Sequence, residues 1–412
     1  MRPLPPRILL PLSLVAALLF LPAQQAFAFS DVPRGHWAYE AIQYVASENT
    51  WMQDYGPDSF RPDARETRSF LARTLVTVYA PTEPADPSIT FPDLPADDPF
   101  YPFANVAVKL GWMNTYQNGN WNGGRPVRVD SFDQAIVLAL GLADPVAGLA
   151  NIRQEDGTPY VVDRRFPHMQ LARWLDLHYD HDDERQDLQR DTRIARDEVA
   201  YSLWKATTMP SHRLEAASIF NDVTLPANVH RYKRRLTQYS LNQVGYPYIF
   251  AGEWHRKSPP GYCCGFQPQG GFDCSGFAWW VLKRSESGYD SAQFRNYPGW
   301  SLRERVSRYM AKATNYQRSY EELDIGNLMF FASNGGDRWE DVSHMGIYLG
   351  NNWMVHSTGG GPQLQWVGDG WYREHFVWGR RLTNKNSGPE QYAPGADVTS
   401  SGATAGEYAI AP

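Results

Sequence analysis

Gly271-Phe272-Asp273-Cys274-Ser275-Gly276-Phe277 is the stretch on which the reading of this 412-residue chain turns. Gly270 and Gly271 break structure ahead of it, Asp273 is a helix-capping residue type, and Ala278-Trp279-Trp280-Val281-Leu282 continues it. That order predicts a helix over 274–282 with the cysteine in its first turn. There, free backbone N–H groups and the helix dipole favour a thiolate. A cysteine in such a place fits a nucleophile, but also a buried structural thiol. Downstream histidines are what separate the two readings.

Two histidines follow in strand-like sequence. Leu328-Met329-Phe330-Phe331 reads as a short apolar strand, and Ser343-His344-Met345-Gly346-Ile347-Tyr348-Leu349 and Trp353-Met354-Val355-His356-Ser357 as a hairpin around Gly350-Asn351-Asn352. With Asn351 at the middle of the turn, Leu349 faces Trp353 and Gly346 faces His356. His344, two residues from Gly346, then projects from the same face of the sheet. The two imidazoles become diagonal neighbours within hydrogen-bond reach, and Gly346 leaves room between them. His344 is placed to take the thiol proton and return it to a leaving amine, and His356 to hold the His344 tautomer. A slip of one residue would turn His356 to the other face.

The rest of the chain bounds the setting. Arg2 and Arg7, an apolar run from Ile8 to Leu21 and then Ala26-Phe27-Ala28 predict a secretory signal peptide over 1–28, and a mature protein acting outside the cytoplasm. A formal charge of −6, with both signs mixed along the chain, argues against nucleic acid as the main partner. Three cysteines, Cys263, Cys264 and Cys274, are too few for a disulfide scaffold. A Cys263/Cys264/His255 metal site lacks a fourth ligand at a familiar spacing. No metal and no cofactor is expected.

Residues 29–208 read as three diverged copies of one unit, about 29–84, 90–145 and 146–208. The first contains Phe29-Ser30-Asp31-Val32-Pro33, His36-Trp37-Ala38, Phe60-Arg61-Pro62 and Glu66-Thr67-Arg68. The second has Phe91-Pro92-Asp93-Leu94 and Val129-Asp130-Ser131, and the third Phe166-Pro167-His168 and Ile194-Ala195-Arg196. Arg68, Ser131 and Arg196 mark a recurring period of the kind that indicates repeated supersecondary units. These features resemble the S-layer homology (SLH) repeat, most fully in the first copy. The resemblance implies an all-α module that holds an anionic cell-wall polymer or peptidoglycan, with Trp37, Arg68 and Arg196 carried over as binding residues. An arginine fork suits carboxylate or phosphate, and exposed aromatics stack on sugars.

Residues 209–229 are expected to be a linker or short packing segment, 230–382 a second domain that opens with a helix over 230–244, and 383–412 a tail too poor in apolar residues to pack. Within 230–382, Gly245-Tyr246-Pro247-Tyr248, Phe272-Asp273-Cys274-Ser275-Gly276-Phe277, Asp324-Ile325-Gly326-Asn327, Ser343-His344-Met345-Gly346 and Met354-Val355-His356-Ser357 resemble the NlpC/P60 cysteine peptidases. The fold class implied is multidomain: an all-α SLH-like repeat module followed by an α+β, papain-like NlpC/P60 domain. The resemblance implies hydrolysis of peptidoglycan stem-peptide amide bonds, commonly between D-glutamate and a diamino acid, by Cys274, His344 and His356. Tyr248 matches a family tyrosine that helps hold the oxyanion or substrate, and Asp273 and Ser275 are candidate anchors for a substrate amine. The loop 252–270 is longer than the family's. Rival readings are a non-catalytic wall-peptide-binding envelope protein and a thiol acyltransferase or amidase.

Overall fold

Helices alternate with polar turns through the first half of the chain, and a mixed helix-and-sheet body follows. The computed structural model describes residues 29–227, 229–257, 267–283, 302, 304–312 and 317–382. The expected signal peptide, the Cys263-Cys264 pair, the middle of the 252–270 loop and the tail after 382 lie outside the described residues.

Three helix pairs make up the first half. The first is α1 (Tyr39–Ile42), continued by a π-helical turn (Gln43–Glu48), with α2 (Arg68–Tyr79). The second is α3 (Tyr101–Lys109) with α4 (Val129–Ala139), followed by α5 (Ala143–Ala150). The third is α6 (Phe166–Trp174) with α7 (Arg196–Thr208). In the first two pairs an aspartate closes the turn ahead of the second helix. Asp31 accepts from the main-chain N–H of Phe60 and Arg61, and Asp93 from those of Trp121 and Asn122. Arg61 and Asn122 share the positive φ that such a turn requires.

The segments leading into α2, α4 and α7 bond to one another in a ring. Glu66 N–H donates to Ile194 O, Ile194 to Val127 O and Val127 to Glu66 O. The N–H groups of Arg68, Val129 and Arg196 then donate to the carbonyls of Arg125, Thr192 and Ala64 in the same order. Val129, not Ser131, therefore stands where Arg68 and Arg196 stand. The approach to α4 is two residues shorter than an alignment on residue type implies, and Ser131 lies inside the helix.

The 209–229 segment is not a free linker. It contains α8 (Ser211–Ala216), and a two-residue strand β2 (Thr224–Leu225) that pairs in parallel with β1 (Arg153–Gln154). Ala217, Phe220, Val223 and Leu225 are buried within it. These apolar residues, spaced between polar ones, fasten the segment under α5.

Next come α9 (Arg231–Leu241), the short antiparallel strands β3 (Glu253–Trp254) and β4 (Gly271–Phe272), and α10 (Cys274–Lys283). Helix α11 (Ser307–Lys312) precedes a six-stranded antiparallel sheet of β5 (Gln317–Arg318), β6 (Leu328–Phe331), β7 (His344–Gly350), β8 (Trp353–Thr358), β9 (Gly361–Trp366) and β10 (Phe376–Arg380), in the order β5-β10-β6-β7-β8-β9. A short helix, α12 (Gly370–Glu374), joins β9 to β10. Helix α10 packs on β7 and β8, and its Phe277, Trp280 and Val281 are buried in the core, Trp280 against Tyr239, Trp254 and Phe272. No helix among the described residues is long and apolar enough to cross a membrane.

Strand β9 is the edge of this sheet, and α6 covers it. The Gln170 side chain donates to Leu364 O (2.8 Å) and accepts from Leu364 N–H (2.7 Å). The buried Arg173 guanidinium donates to Gly360 O (2.6 Å) and Gly245 O (2.8 Å). A covered edge is one route by which proteins avoid strand-to-strand association.

Candidate active site

Helix α10 begins at Cys274, and Asp273 caps it: its Oδ1 accepts the Gly276 N–H. Gly276 is required here, because a Cβ would lie 1.8 Å from the Gly252 carbonyl oxygen. The short side of this helix turn thus fits directly under the loop that carries β3. Cys274 itself is half-buried, which leaves it reachable.

The histidines come from the β7–β8 hairpin. His344 Nε2 lies 2.7 Å from His356 Nδ1, with the ring planes near perpendicular at 80°. Gly346 pairs with His356, but the route to that register differs from the sequence expectation. The turn has two residues, Asn351 and Asn352, both at positive φ, so Gly350 rather than Leu349 faces Trp353. Asn is among the few residue types that accept this conformation readily. Counted from such a turn, a regular ladder would set His356 opposite Ile347 and on the wrong face. An irregularity between Tyr348 and Gly350 absorbs Leu349 as an extra residue and restores the pairing. Gly346 is needed as well, since a Cβ would approach His356 Cβ to 3.0 Å and Met354 Sδ to 2.7 Å.

Helix α10 packs on β7, which brings Cys274 beside the start of that strand. The backbone N–H groups of Ser275 and of Met345, the residue after His344, both favour the Cys274 thiolate. His356 holds His344 through Nε2, so Nδ1 is the nitrogen left to take a proton. For Nδ1 to act as a base, Nε2 must carry the hydrogen and donate it to His356 Nδ1.

Burial sets the charge state. It pushes the Cys274 thiol up to about 12, aided by Asp273 and opposed by Arg305 and the two N–H groups. It pulls His344 down to about 4 against Asp273, and His356 well below its ordinary value, helped by His344. These shifts favour a neutral thiol and neutral imidazoles in the free site, because desolvation opposes the helix N-terminus that would otherwise lower the thiol. A depressed base stays unprotonated below pH 6.5 and is lost only as pH falls through about 4. kcat/KM on a soluble wall peptide should accordingly hold across the acid range and decline towards pH 4, and an acid limb centred on 6.5 would contradict this site.

Arg305 has no sequence motif and was not anticipated. It lies 31 positions beyond Cys274 on the chain, yet its guanidinium fills the space beneath the helix start. Nη1 donates to Asp273 Oδ1 (3.2 Å) and Ser275 Oγ (2.7 Å), and Nη2 to the carbonyls of Ala251 and Gly252, both at 3.1 Å. Nε pairs with Glu253. This commits Asp273 and Ser275, whose Oγ also donates to Asp273 (3.0 Å). The two candidate anchors for a substrate amine are thus held by Arg305 beside the sulfur. Tyr248 is half-buried, and burial, Cys274 and Asp273 all push its hydroxyl up, so it remains a protonated donor.

The expected polymer-binding residues fare differently from one another. Arg196 is fully buried: it pairs with Asp54 (2.6 Å) and Glu66 (3.1 Å) and donates to Phe60 O and Met52 O, both at 2.9 Å. Enclosed by these partners, it offers no accessible group to a polymer. Arg68 is half-buried, donating to Trp121 O (2.8 Å) and Asn114 O (2.6 Å) above the Trp121 ring. Trp37 is half-buried and stacks on Tyr179 at 4.7 Å. No group of three or more His, Cys, Asp or Glu among the described residues is arranged to hold a metal ion.

Parts of the chain are similar to known proteins. Residues 245–381 match the NlpC/P60 family, and residues 28–69 the S-layer homology domain. The "Probable peptidoglycan endopeptidase LytE" of Bacillus subtilis strain 168 is 28% identical over 112 residues, 27% of this chain and 27% of that protein. The "Bifunctional muramidase/DL-endopeptidase CwlT" of the same organism is 31% identical over 138 residues, 34% of this chain and 33% of that protein. The chain spans 27% and 33% of the length of these curated relatives. Among solved structures, RipD of Mycobacterium tuberculosis, a non-catalytic NlpC/p60 domain protein, is 20% identical and covers 38% of this chain and 100% of that one, at a TM-score of 0.27. The chain thus joins an S-layer homology domain, over residues 28–69, to an NlpC/P60 domain over residues 245–381.

Proposed function

We propose that this protein is an exported cysteine endopeptidase that cleaves peptidoglycan stem-peptide amide bonds, between D-glutamate and a diamino acid, through a thioester. The observation that carries the reading is the 2.7 Å contact between His344 and His356, on the strand pair against which α10 packs with Cys274 at its head. Cys274 Sγ attacks the amide carbonyl as its proton passes to His344 Nδ1. The C–N bond then breaks as that proton moves to the leaving nitrogen, and water, activated by the neutral imidazole, hydrolyses the thioester. Tyr248 donates to the carbonyl oxygen as it gains charge.

On this reading the body is papain-like, and residues 29–208 are three diverged SLH repeats that hold the enzyme at a wall polysaccharide. Trp37 and Arg68 are the groups that meet it, without Arg196. The names of the peptidoglycan endopeptidases LytE and CwlT support the substrate class. Digestion of purified sacculi, with mass spectrometry of the released fragments, tests the proposal. New γ-D-glutamyl ends are expected with the wild type and none with Cys274→Ala. Fragments identical to those of an untreated control would leave a non-catalytic wall-binding protein.

A further inference from the structure

We propose that Gln363 is a positioning residue that extends the Cys274-His344-His356 set by accepting a hydrogen bond from His356 Nε2. This rests on the Cys-His-His assignment in the proposed function. His356 Nδ1 is taken by His344, so a base-competent His344 requires the His356 hydrogen on Nε2. That Nε2 is buried and has no partner among the described residues. Directly across the β8–β9 ladder, His356 faces Gln363. Gln363 is only 4% exposed, and its Oε1 is likewise buried without a partner among the described residues. Facing side chains on adjacent antiparallel strands have Cβ atoms about 5 Å apart, within the span of an imidazole and an amide. The two atoms do not bond to each other in the conformation described; a turn of the Gln363 amide towards the imidazole would let one buried donor and one buried acceptor, each lacking a partner, complete each other.

The surroundings favour an amide at this place. Strand β9 is held in register from behind by Gln170, which grips both main-chain groups of Leu364, the next residue. The other groups facing the imidazole pair are Tyr372, whose ring lies 5.2 Å from His356, and Asp273, whose charge acts on His344. A neutral acceptor fixes the His356 tautomer without adding charge. A carboxylate in its place would strengthen His344 as a base and would also favour a protonated resting state.

The test uses the full chain labelled with 15N-histidine. Two-bond 1H–15N spectra should show wild-type His356 as a single Nε2–H tautomer. Gln363→Leu should give a mixture of tautomers and a kcat about tenfold lower at unchanged KM, the effect of one lost orienting hydrogen bond. Gln363→Glu should keep the tautomer and move the His344 titration upward in pH. Should Gln363→Leu keep a single Nε2–H tautomer, or Gln363→Glu leave the titration where it was, the inference is overturned. If Gln363→Leu does not fold, Gln363→Glu alone decides. The spectra need no substrate, so an inactive wild type would sink the proposed function while the tautomer result still judges Gln363.

Discussion

Cys274→Ala should lower release of wall peptides by about a thousandfold or more, since residues acting as one catalytic unit fail together when the nucleophile is lost. The geometry makes this a sharp expectation. The sulfur is the one group at the α10 head that can form a covalent acyl intermediate; Asp273 and Ser275 beside it are held by Arg305. The same site predicts an uncommon alkylation profile. With the thiol pushed up to about 12 and His344 down to about 4, iodoacetamide should label the free enzyme slowly at neutral pH and faster as pH rises. Rapid labelling below pH 7 would show a resting thiolate–imidazolium pair instead. Wild-type activity with slow labelling would mean that the proton leaves sulfur only as the carbonyl is attacked.

Arg196→Ala should destabilise the helical half by about 3–5 kcal/mol, because it strands Glu66 as a buried carboxylate and leaves Asp54 with Arg73 alone. For a body of this size that is a fall in melting temperature on the order of 10 °C. Arg68→Ala, which frees two carbonyls at a half-buried position, should cost less, about 1–2 kcal/mol. Differential scanning calorimetry of the full chain, beside sacculus co-sedimentation, separates the roles. An Arg196→Ala protein that melts with the wild type yet no longer sediments would return that arginine to the binding surface.

What the sequence revealed about this site was its local part. A glycine pair, a capping aspartate and an apolar run specify where α10 begins, and all act within one helical turn. The hairpin pairing of Gly346 with His356 was also legible, although two departures cancelled to give it: a two-residue Asn-Asn turn, and Leu349 taken up as an extra residue. Hydrophobic alternation reports which face each strand buries, but it does not reveal where an extra residue is absorbed. Arg305 was illegible because its partners, Ala251, Gly252, Glu253, Asp273 and Ser275, lie 30 to 54 positions away, so nothing in the local pattern marks it. Likewise the α4 register shows only in the ring of main-chain bonds, which residue types do not encode. Arg196 looked like a surface fork because a lone arginine is usually exposed. Its carboxylate partner Asp54 lies far away in sequence, within the first helix pair.

The grip of Gln170 on Leu364 has a mechanical consequence. A wall-bound enzyme whose two halves were strung together loosely could sweep its catalytic end through a volume set by the string. Here the outermost strand of one half is clasped by a side chain of the other, so the halves turn together like a key and its bow. On the proposed reading, the docked enzyme can trim only what lies at one fixed distance and angle from its foothold. How long it stays on the polymer before stepping elsewhere would then govern how much wall it clears.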